Sequence, residues 1–133
     1  MELEKHFTFG KNEKLKGKVA FEELFSQGKS ISSFPMKLIY LKTDVPQDVP
    51  FKVGVVTPKK KFKSAVKRNR IKRLLREGYR LNKHMLFNNV EGNFAFLFLY
   101  LGNKMPDAQE VNTLMIKLMS TFLKKESNEK TNT

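Results

Sequence analysis

One segment limits the fold more than any other, the run NFAFLFLYL at Asn93–Leu101. Successive side chains of a β-strand point to opposite faces. As a strand, this run puts aromatic side chains on one face (positions 94, 96, 98 and 100) and small or aliphatic ones on the other (positions 95, 97, 99 and 101). Because both faces are apolar, the strand has to be covered on both sides. The sequence therefore predicts a central strand in a sheet with helices packed on it.

Two further strands and three helices are predicted around this strand. The strands are Met36–Lys42 and Phe51–Thr57, and the helices are Gly17–Gln27, Ser64–Asn82 and one that opens at Asp107. The order α-β-β-α-β-α indicates a single compact α+β domain with a small central sheet. We expect residues 1–10 to be loosely ordered, residues 11–126 to form the domain, and residues 127–133 to be a disordered polar tail.

The charge balance indicates a polyanionic partner. Lysine and arginine number 26 against 13 acidic residues, which gives a formal charge of +13. Such an excess favours nucleic acid first and an anionic membrane surface second. No apolar run is long enough to cross a bilayer, and Met1–Gly10 lacks the apolar centre of a signal peptide. The absence of cysteine excludes disulfides and cysteine-ligated zinc.

The cations concentrate in KRNRIKRLLR, Lys67–Arg76, inside a predicted helix. Helical spacing gathers Ile71, Leu74, Leu75 and Gly78 on one apolar arc. A second, polar arc holds Arg68, Asn69, Lys72, Arg73, Arg76 and Arg80, with Arg70 at the border. A solvated surface is the simpler interpretation, but Glu77 is the only acid between residues 52 and 90. Phosphates would relieve that unbalanced charge, and the flanking strands favour RNA over a DNA groove.

The segment AVKRNRIKRLLRE, Ala65–Glu77, closely resembles the Arg-Asn-Arg signature of the bacterial ribonuclease P protein subunit. FEELF at Phe21–Phe25 is similar to that family's first helix, which has two phenylalanines four apart. KLIY at Lys37–Tyr40 and FKVGVVTPKK at Phe51–Lys60 resemble its first two strands and basic hinge. These matches follow the family's order and cover most of residues 11–101.

The resemblance implies a fold with an unusual left-handed β-α-β crossover, against the common handedness. It also implies a role as protein subunit of a ribonucleoprotein endoribonuclease, which removes the 5′ leader of precursor tRNA. The catalytic groups and the Mg²⁺ ions are then expected in the RNA, so this chain would have no catalytic residue. The expected partners are the catalytic RNA and precursor tRNA, in the cytoplasm, with no DNA or membrane partner. The protein is expected to be a monomer without RNA.

Two sets of residues match the family's functional positions. The first set would face the catalytic RNA, and Asn69 within it is a candidate to lie near a metal ion shared with RNA; its members are Arg68, Asn69, Arg70, Lys72, Arg73 and Arg76. The second would line a groove for the single-stranded leader, where aromatic rings stack on unpaired bases; its members are Phe21, Phe25, Tyr40, Lys59, Lys60 and Lys61.

Each groove residue has a structural alternative. Two phenylalanines four apart on a helix are more often core than ligand platform, and one face of the strand that holds Tyr40 must meet the core. The three lysines would otherwise be an exposed turn. The chain also departs from the family here, because KKKFKSAV at Lys59–Val66 replaces a shorter, glycine-containing lead into the helix.

A rival function is that of a basic structural RNA-binding protein, such as a ribosomal component or an RNA chaperone. It would need the charge but not the aromatic groove. Membrane-surface binding through the basic helix ranks lower, because the apolar arc of that helix is needed for the core. An independent protein nuclease is not favoured, since Glu22 and Glu23 diverge by about 100° on their helix and do not converge on a metal or water.

Overall fold

A computed structural model of the chain describes residues 9–43, 49–87 and 89–131, with side chains described as far as residue 127. The helices are α1 (Lys18–Gln27), α2 (Ala65–Asn82) and α3 (Ala108–Thr131). The strands are β1 (Lys29–Ser33), β2 (Met36–Thr43), β3 (Phe51–Val56) and β4 (Asn93–Tyr100). Single 3₁₀ turns precede α1 at Lys11–Glu13 and follow α2 at Lys83–Met85.

The four strands form one mixed sheet in the order β1-β2-β4-β3. Strand β4 is antiparallel to β2 and parallel to β3, so it is flanked on both sides as its sequence predicts. Helix α1 covers one face of the sheet, and α2 and α3 cover the other, giving three layers. The α+β class and the single domain are confirmed. The left-handed sense of the β3-α2-β4 crossover stays a prediction.

The predicted element order was wrong in one respect, because it lacks strand β1. The observed order is α-β-β-β-α-β-α, with β1 pairing antiparallel to β2 at the edge of the sheet. Only Ile31 of the five residues KSISS is buried. A short polar strand of this kind suits an edge, where one flank remains open to water, but it gives little hydrophobic signal.

The larger core lies between the sheet and the pair α2 and α3. Phe122 of α3 stands edge-on to three rings of the sheet, with ring centroids 4.9 Å from Tyr40, 5.3 Å from Phe94 and 5.0 Å from Phe96. Such edge-to-face contacts add to the free energy of burying aromatic area. The smaller core, under α1, is aliphatic and includes Leu24, Ile39, Leu97 and Leu99.

Helix α2 is capped at its N-terminus by Ser64. The Ser64 side chain accepts a hydrogen bond from the backbone N–H of Lys67 at 3.3 Å, which satisfies one of the free donors of the first turn. Gly78 allows α3 to approach closely, since a Cβ there would lie 3.2 Å from Val111 Cγ1. Near the end of α2, the Asn82 amide donates to Asn112 Oδ1 at 2.6 Å and fixes the two helices together.

The ends of the chain are more structured than expected where they are described. Helix α3 continues to Thr131, into the segment from residue 127 for which the sequence predicts a disordered tail. A helix that is already nucleated by its packed portion extends at little cost. At the other end, Phe9 packs edge-on to Tyr79, with ring centroids 5.5 Å apart. Residues 1–8 and 132–133 lie outside the described residues. No helix in the described ranges is long and apolar enough to cross a membrane.

Candidate nucleic-acid interface

The outward face of α2 is a cationic stripe. Its exposed members are Asn69, Arg70, Arg73 and Arg76, while Lys72 is partly buried beside them. The buried face of the same helix is formed by Ile71, Leu75, Gly78, Tyr79 and Asn82. The stripe therefore points away from the core along its length. Arg70 is an exposed member of it and not a border residue.

Within the described ranges, the cations of this stripe have no partner in the protein. Among the described residues, no ion pair or side-chain hydrogen bond involves Arg70, Lys72, Arg73 or Arg76. Like charges three and four apart on a helix destabilise it by a few tenths of a kcal/mol per pair, so their clustering carries a cost. Planar guanidinium groups bind phosphate oxygens through two parallel hydrogen bonds. The stripe has the chemistry of a surface for nucleic-acid phosphates.

Arg80 and Glu77, both on α2, form an ion pair. Arg80 Nε donates to Glu77 Oε2 at 3.1 Å. This hydrogen bond from Arg80 lowers the pKa of the Glu77 carboxyl below its usual range. The pair keeps the single acid of α2 charged and lies at the C-terminal end of the cationic stripe.

Arg68 has a structural role that helical spacing does not reveal. Its Nη1 donates to the backbone oxygens of Phe62 and Lys63, at 2.8 Å each. These bonds fold the segment before the helix back onto the first turn of α2. The other guanidinium nitrogens of Arg68 remain free to donate, since a guanidinium carries five N–H groups. Arg68 therefore stabilises the start of α2, a role beyond the predicted contact with RNA.

The basic hinge between β3 and α2 is an ordered turn. Lys59, Lys60 and Lys61 are exposed, and the N–H of Lys61 donates to the Pro58 carbonyl at 3.2 Å. Phe62 is buried after them and lies 6.3 Å, centroid to centroid, from Tyr100. The hinge is thus anchored at Phe62, and its three exposed lysines lie just before the cationic stripe begins.

Helix α1 crosses the sheet at a large angle to the strands. Near its start, the N–H of Leu15 donates to the Val53 carbonyl of β3 at 2.9 Å. At its end, a Cβ on Gly28 would lie 2.6 Å from Ile39 Cγ2 of β2. The helix therefore runs from the β3 edge across β4 to β2, and it divides its face of the sheet into two open sides.

Cross-strand register gives this face three rows. The middle row, Gly54–Leu97–Ile39, is buried beneath α1. The row Val56–Leu99–Lys37 lies on the side of the hinge. The row Lys52–Ala95–Leu41 lies on the opposite side. The hinge-side surface is defined here as the row of Val56 together with Phe25 and the three hinge lysines.

The two phenylalanines of α1 have different surroundings. Phe21 is partly buried over the middle row, where a Cβ on Gly54 would lie 3.0 Å from its Cζ. Phe25 is 56% exposed. Helical spacing puts it on the flank opposite Glu23 and Gln27, toward the hinge. Phe25 therefore offers a ring face to solvent, and Phe21 supports the helix from below.

Tyr40 does not belong to this face, so its prediction as a groove residue was wrong. Its side chain is 3% exposed and packs in the larger core against Phe122. Within β2, Lys37 shares a face with Ile39 and Leu41, which leaves Tyr40 on the other face. The position of Lys37 was the available signal, because a lysine marks the less buried face of a half-covered strand.

A cavity of about 620 Å³ lies on the side of α1 away from the hinge. We call it the lysine trough. It lies between the segment before α1, the flank of α1 with Glu23 and Gln27, and the sheet row that contains Ala95. Its lining includes five lysines, Lys11, Lys14, Lys16, Lys42 and Lys52. Sequence reasoning missed this cluster, since its members are scattered over forty positions and no local pattern connects them.

The segment before α1 is held in place by an ion pair with the end of α2. Lys83 is 1% exposed and its Nζ pairs with Glu13 Oε1. The second carboxylate oxygen of Glu13 accepts from the Gly10 N–H at 2.9 Å. Removing either partner would leave a charge in a poorly hydrated place, which is costly.

The described part of the chain has no group of three or more His, Cys, Asp or Glu side chains that could hold a metal ion. Asn69 is exposed on α2 among cations, and an amide oxygen alone is a weak ligand for Mg²⁺, which prefers carboxylates and water. These residues do not fit a protein-held Mg²⁺ site.

The sequence matches a known protein family. The family model described as Ribonuclease P matches residues 9–123. A ribonuclease P protein component of Porphyromonas gingivalis is 34% identical over 83% of this chain and 84% of its own length. One from Chlorobaculum tepidum is 36% identical over 70% of this chain and 66% of its own length.

Solved structures show the same fold at low sequence identity. The ribonuclease P protein of Staphylococcus aureus superposes with a TM-score of 0.67 at 18% identity, covering 84% of this chain and 95% of its own. That of Thermotoga maritima gives 0.59 at 22% identity, covering 85% and 96%. With the family match spanning most of the sequence, the chain belongs to the ribonuclease P protein family, the protein subunits of a tRNA-processing endoribonuclease.

Proposed function

We propose that this chain binds the catalytic RNA of ribonuclease P through the cationic stripe of α2 and binds the 5′ leader of precursor tRNA on the hinge-side surface. It would thereby assist Mg²⁺-dependent removal of the leader. The observation that carries the proposal is the outward stripe of cations without internal partners, which an RNA backbone would neutralise.

The leader assignment rests on the hinge-side surface. An exposed Phe25 ring can stack on an unpaired base, and stacking is tolerant of sequence. Lys59, Lys60 and Lys61 are exposed nearby and would contact the phosphates of the same strand. Phe21 would act indirectly. Its contact with Gly54 sets the distance between α1 and the sheet, and this distance positions Phe25.

The chemistry of cleavage is assigned to the RNA. Mg²⁺ would be held by RNA phosphates, and the protein would lower the repulsion between two polyanions that have to meet. Asn69 lies where such an ion could contact the protein through water. We expect the protein to act in the cytoplasm as a monomer until it binds RNA, and to show no hydrolysis of precursor tRNA without RNA.

The test is cleavage of precursor tRNA by the catalytic RNA at low Mg²⁺, with and without the protein. Stimulation by the unaltered protein is expected, with strong loss in Arg73→Ala and little loss in Lys117→Ala. Lys117 is an exposed cation of α3, so it controls for the change in net charge. Absence of stimulation with RNA binding intact would instead indicate a structural RNA-binding protein.

The leader contact is tested with a matched pair of variants on α1. Phe25→Ala should weaken binding of leader-bearing precursor tRNA to the holoenzyme more than binding of mature tRNA. Val19→Ala removes a 73% exposed apolar side chain from the same helix and should change neither. Equal weakening for both substrates by Phe25→Ala would contradict the leader assignment.

A further inference from the structure

The lysine trough has the composition of a binding site for anions. Lys11, Lys14, Lys16, Lys42 and Lys52 line it, and Glu23 is the one acid in the lining. Within the described residues, none of the five lysines has an ion pair or a side-chain hydrogen bond. A concave surface lined by one sign of charge concentrates counter-ions, and a polyanion binds there with release of small ions.

The trough is built on fixed backbone. Lys14 forms a parallel bridge with Val53, and the adjacent Leu15 N–H donates to the Val53 carbonyl. Lys52 projects from β3 onto the same side of the sheet, in register with Ala95. Strand and bridge therefore hold several of these lysines at set positions, which lowers the entropy lost when a ligand binds.

Glu13, an acid of the segment before α1, is kept out of the trough. Glu13 lies within the same segment, between two of the trough lysines in sequence, but its carboxylate pairs with buried Lys83 and the Gly10 N–H. Without that pairing, a carboxylate would be free to neutralise a trough lysine. The ion pair thus preserves the positive potential of the cavity in addition to anchoring the segment.

The lining contains no aromatic ring; its apolar members are Leu15, Ala20, Leu24, Leu41 and Ala95. Stacking on bases is therefore not its chemistry, in contrast to the hinge-side surface with its exposed Phe25. Helix α1 separates the two surfaces, and the cationic stripe of α2 lies beyond the hinge. The trough is distinct from both.

We propose that the lysine trough is a second RNA site, which binds phosphate groups of the backbone and does not read bases. This proposal rests on the proposed function, because it takes RNA as the polyanion that binds in the trough. Two sources can supply these phosphates, the catalytic RNA itself or a distal part of the leader after it has passed α1. The same lysines would serve either, so the source is a matter for experiment.

The test uses a double variant, Lys16→Gln with Lys52→Gln, which keeps a flexible polar side chain at each position and removes two charges. Its control is Lys117→Gln with Lys125→Gln, which removes the same charge from exposed positions of α3 on the other side of the sheet. Thermal unfolding of both should match the unaltered protein. Affinity is measured against salt for three probes, which are an oligouridylate, the catalytic RNA alone, and holoenzyme with precursor tRNAs of increasing leader length.

The trough variant should bind oligouridylate several-fold to about tenfold more weakly than its control, with a salt slope smaller by about 1.4 if both lysines contact single-strand phosphates. An added loss with catalytic RNA alone identifies that RNA as the source. A loss confined to precursors with long leaders identifies the leader. Equal affinity and slope for both variants with all probes would overturn the proposal.

These outcomes are separable from those of the proposed function. If the protein fails to stimulate cleavage, the oligouridylate comparison still tests the trough, because it requires no catalytic RNA. If cleavage is stimulated but the trough variant equals its control, the proposed function stands and the trough proposal fails.

Discussion

The two faces of the sheet differ less in hydrophobicity than in how they are covered. On one face, α2 and α3 together bury Tyr40, Phe96 and Phe98, each at 3% exposure or less. On the other, α1 alone crosses the strands. It buries the middle row, Gly54–Leu97–Ile39, and Leu99 of the next row, while Val56, Leu41 and Ala95 stay partly exposed. One helix placed across a sheet leaves part of the rows on either side of it open to solvent. These partly open rows border the hinge-side surface and the lysine trough.

The comparison shows why aromatic residues do not by themselves mark a binding surface. Tyr40 and Phe25 both match groove positions in the family's pattern, yet one is core and the other is 56% exposed. What separates them is the number of elements packed over each position. A ring under two helices stabilises the fold, and a ring beside a single crossing helix remains available to a ligand.

The largest expected effect tests the closed face. Phe122→Ala removes a ring that contacts Tyr40, Phe94 and Phe96, and it should lower the free energy of unfolding by about 3–5 kcal/mol. Phe25→Ala, on the open face, should lower it by less than about 1 kcal/mol. Denaturant titration of both variants checks the contrast. Similar losses would mean that the two faces are equally closed.

The next effect tests the row beneath α1. Gly54→Ala places a methyl group 3.0 Å from Phe21 Cζ and should destabilise the protein by about 1–3 kcal/mol, because the ring and α1 have to move. The double variant Gly54→Ala with Phe21→Leu should lose less than the sum of the single changes. Additive losses in thermal unfolding would show that α1 is not in tight contact with this row.

A smaller effect distinguishes two arginines of α2. Arg68→Ala breaks two hydrogen bonds to the carbonyls before the helix and should cost about 1 kcal/mol, because the group is only partly buried. Arg73→Ala should change stability by less than about 0.5 kcal/mol. Both should weaken binding of the catalytic RNA. Equal thermal stability of the two variants would contradict the structural role of Arg68.

The smallest effect concerns Glu77, whose pKa is lowered by the hydrogen bond from Arg80. A carboxyl with a lowered folded-state pKa stabilises the protein above its unfolded pKa of about 4.3, and that contribution is lost as pH falls through the folded value. Unfolding of the unaltered protein and of Glu77→Gln, compared against pH, should therefore converge on acidification. A stability difference that persists at the acid end would exclude this pair as its cause.

Much of the fold could be predicted from strongly periodic segments. Strand β4, strand β3 and helix α2 follow from alternation or helical spacing sustained over six or more residues, and their bounds agree with the structure within one or two residues. Strand β1 could not be predicted in this way. Its sequence KSISS has one apolar residue, and the strand forms by pairing with β2. The helical extension of α3 depends on the packed helix before it, which no local composition shows.

The candidate site likewise has parts that could be predicted from the sequence and parts that could not. The cationic stripe is local to one helix, so helical spacing places Asn69, Arg73 and Arg76 correctly on its outer face. The structural bonds of Arg68 depend on how the preceding hinge folds, and the lysine trough depends on three separate segments meeting. Tertiary contacts create these features, and a linear pattern cannot contain them.

The pair between Glu13 and Lys83 has a consequence for how the protein is made. Its partners are 70 positions apart in the chain, with three strands and two helices between them. During synthesis the N-terminal segment emerges first, but its anchor exists only after α2 has left the ribosome. The wall of the lysine trough formed by this segment is therefore fixed only late in synthesis, after the end of α2 has been made.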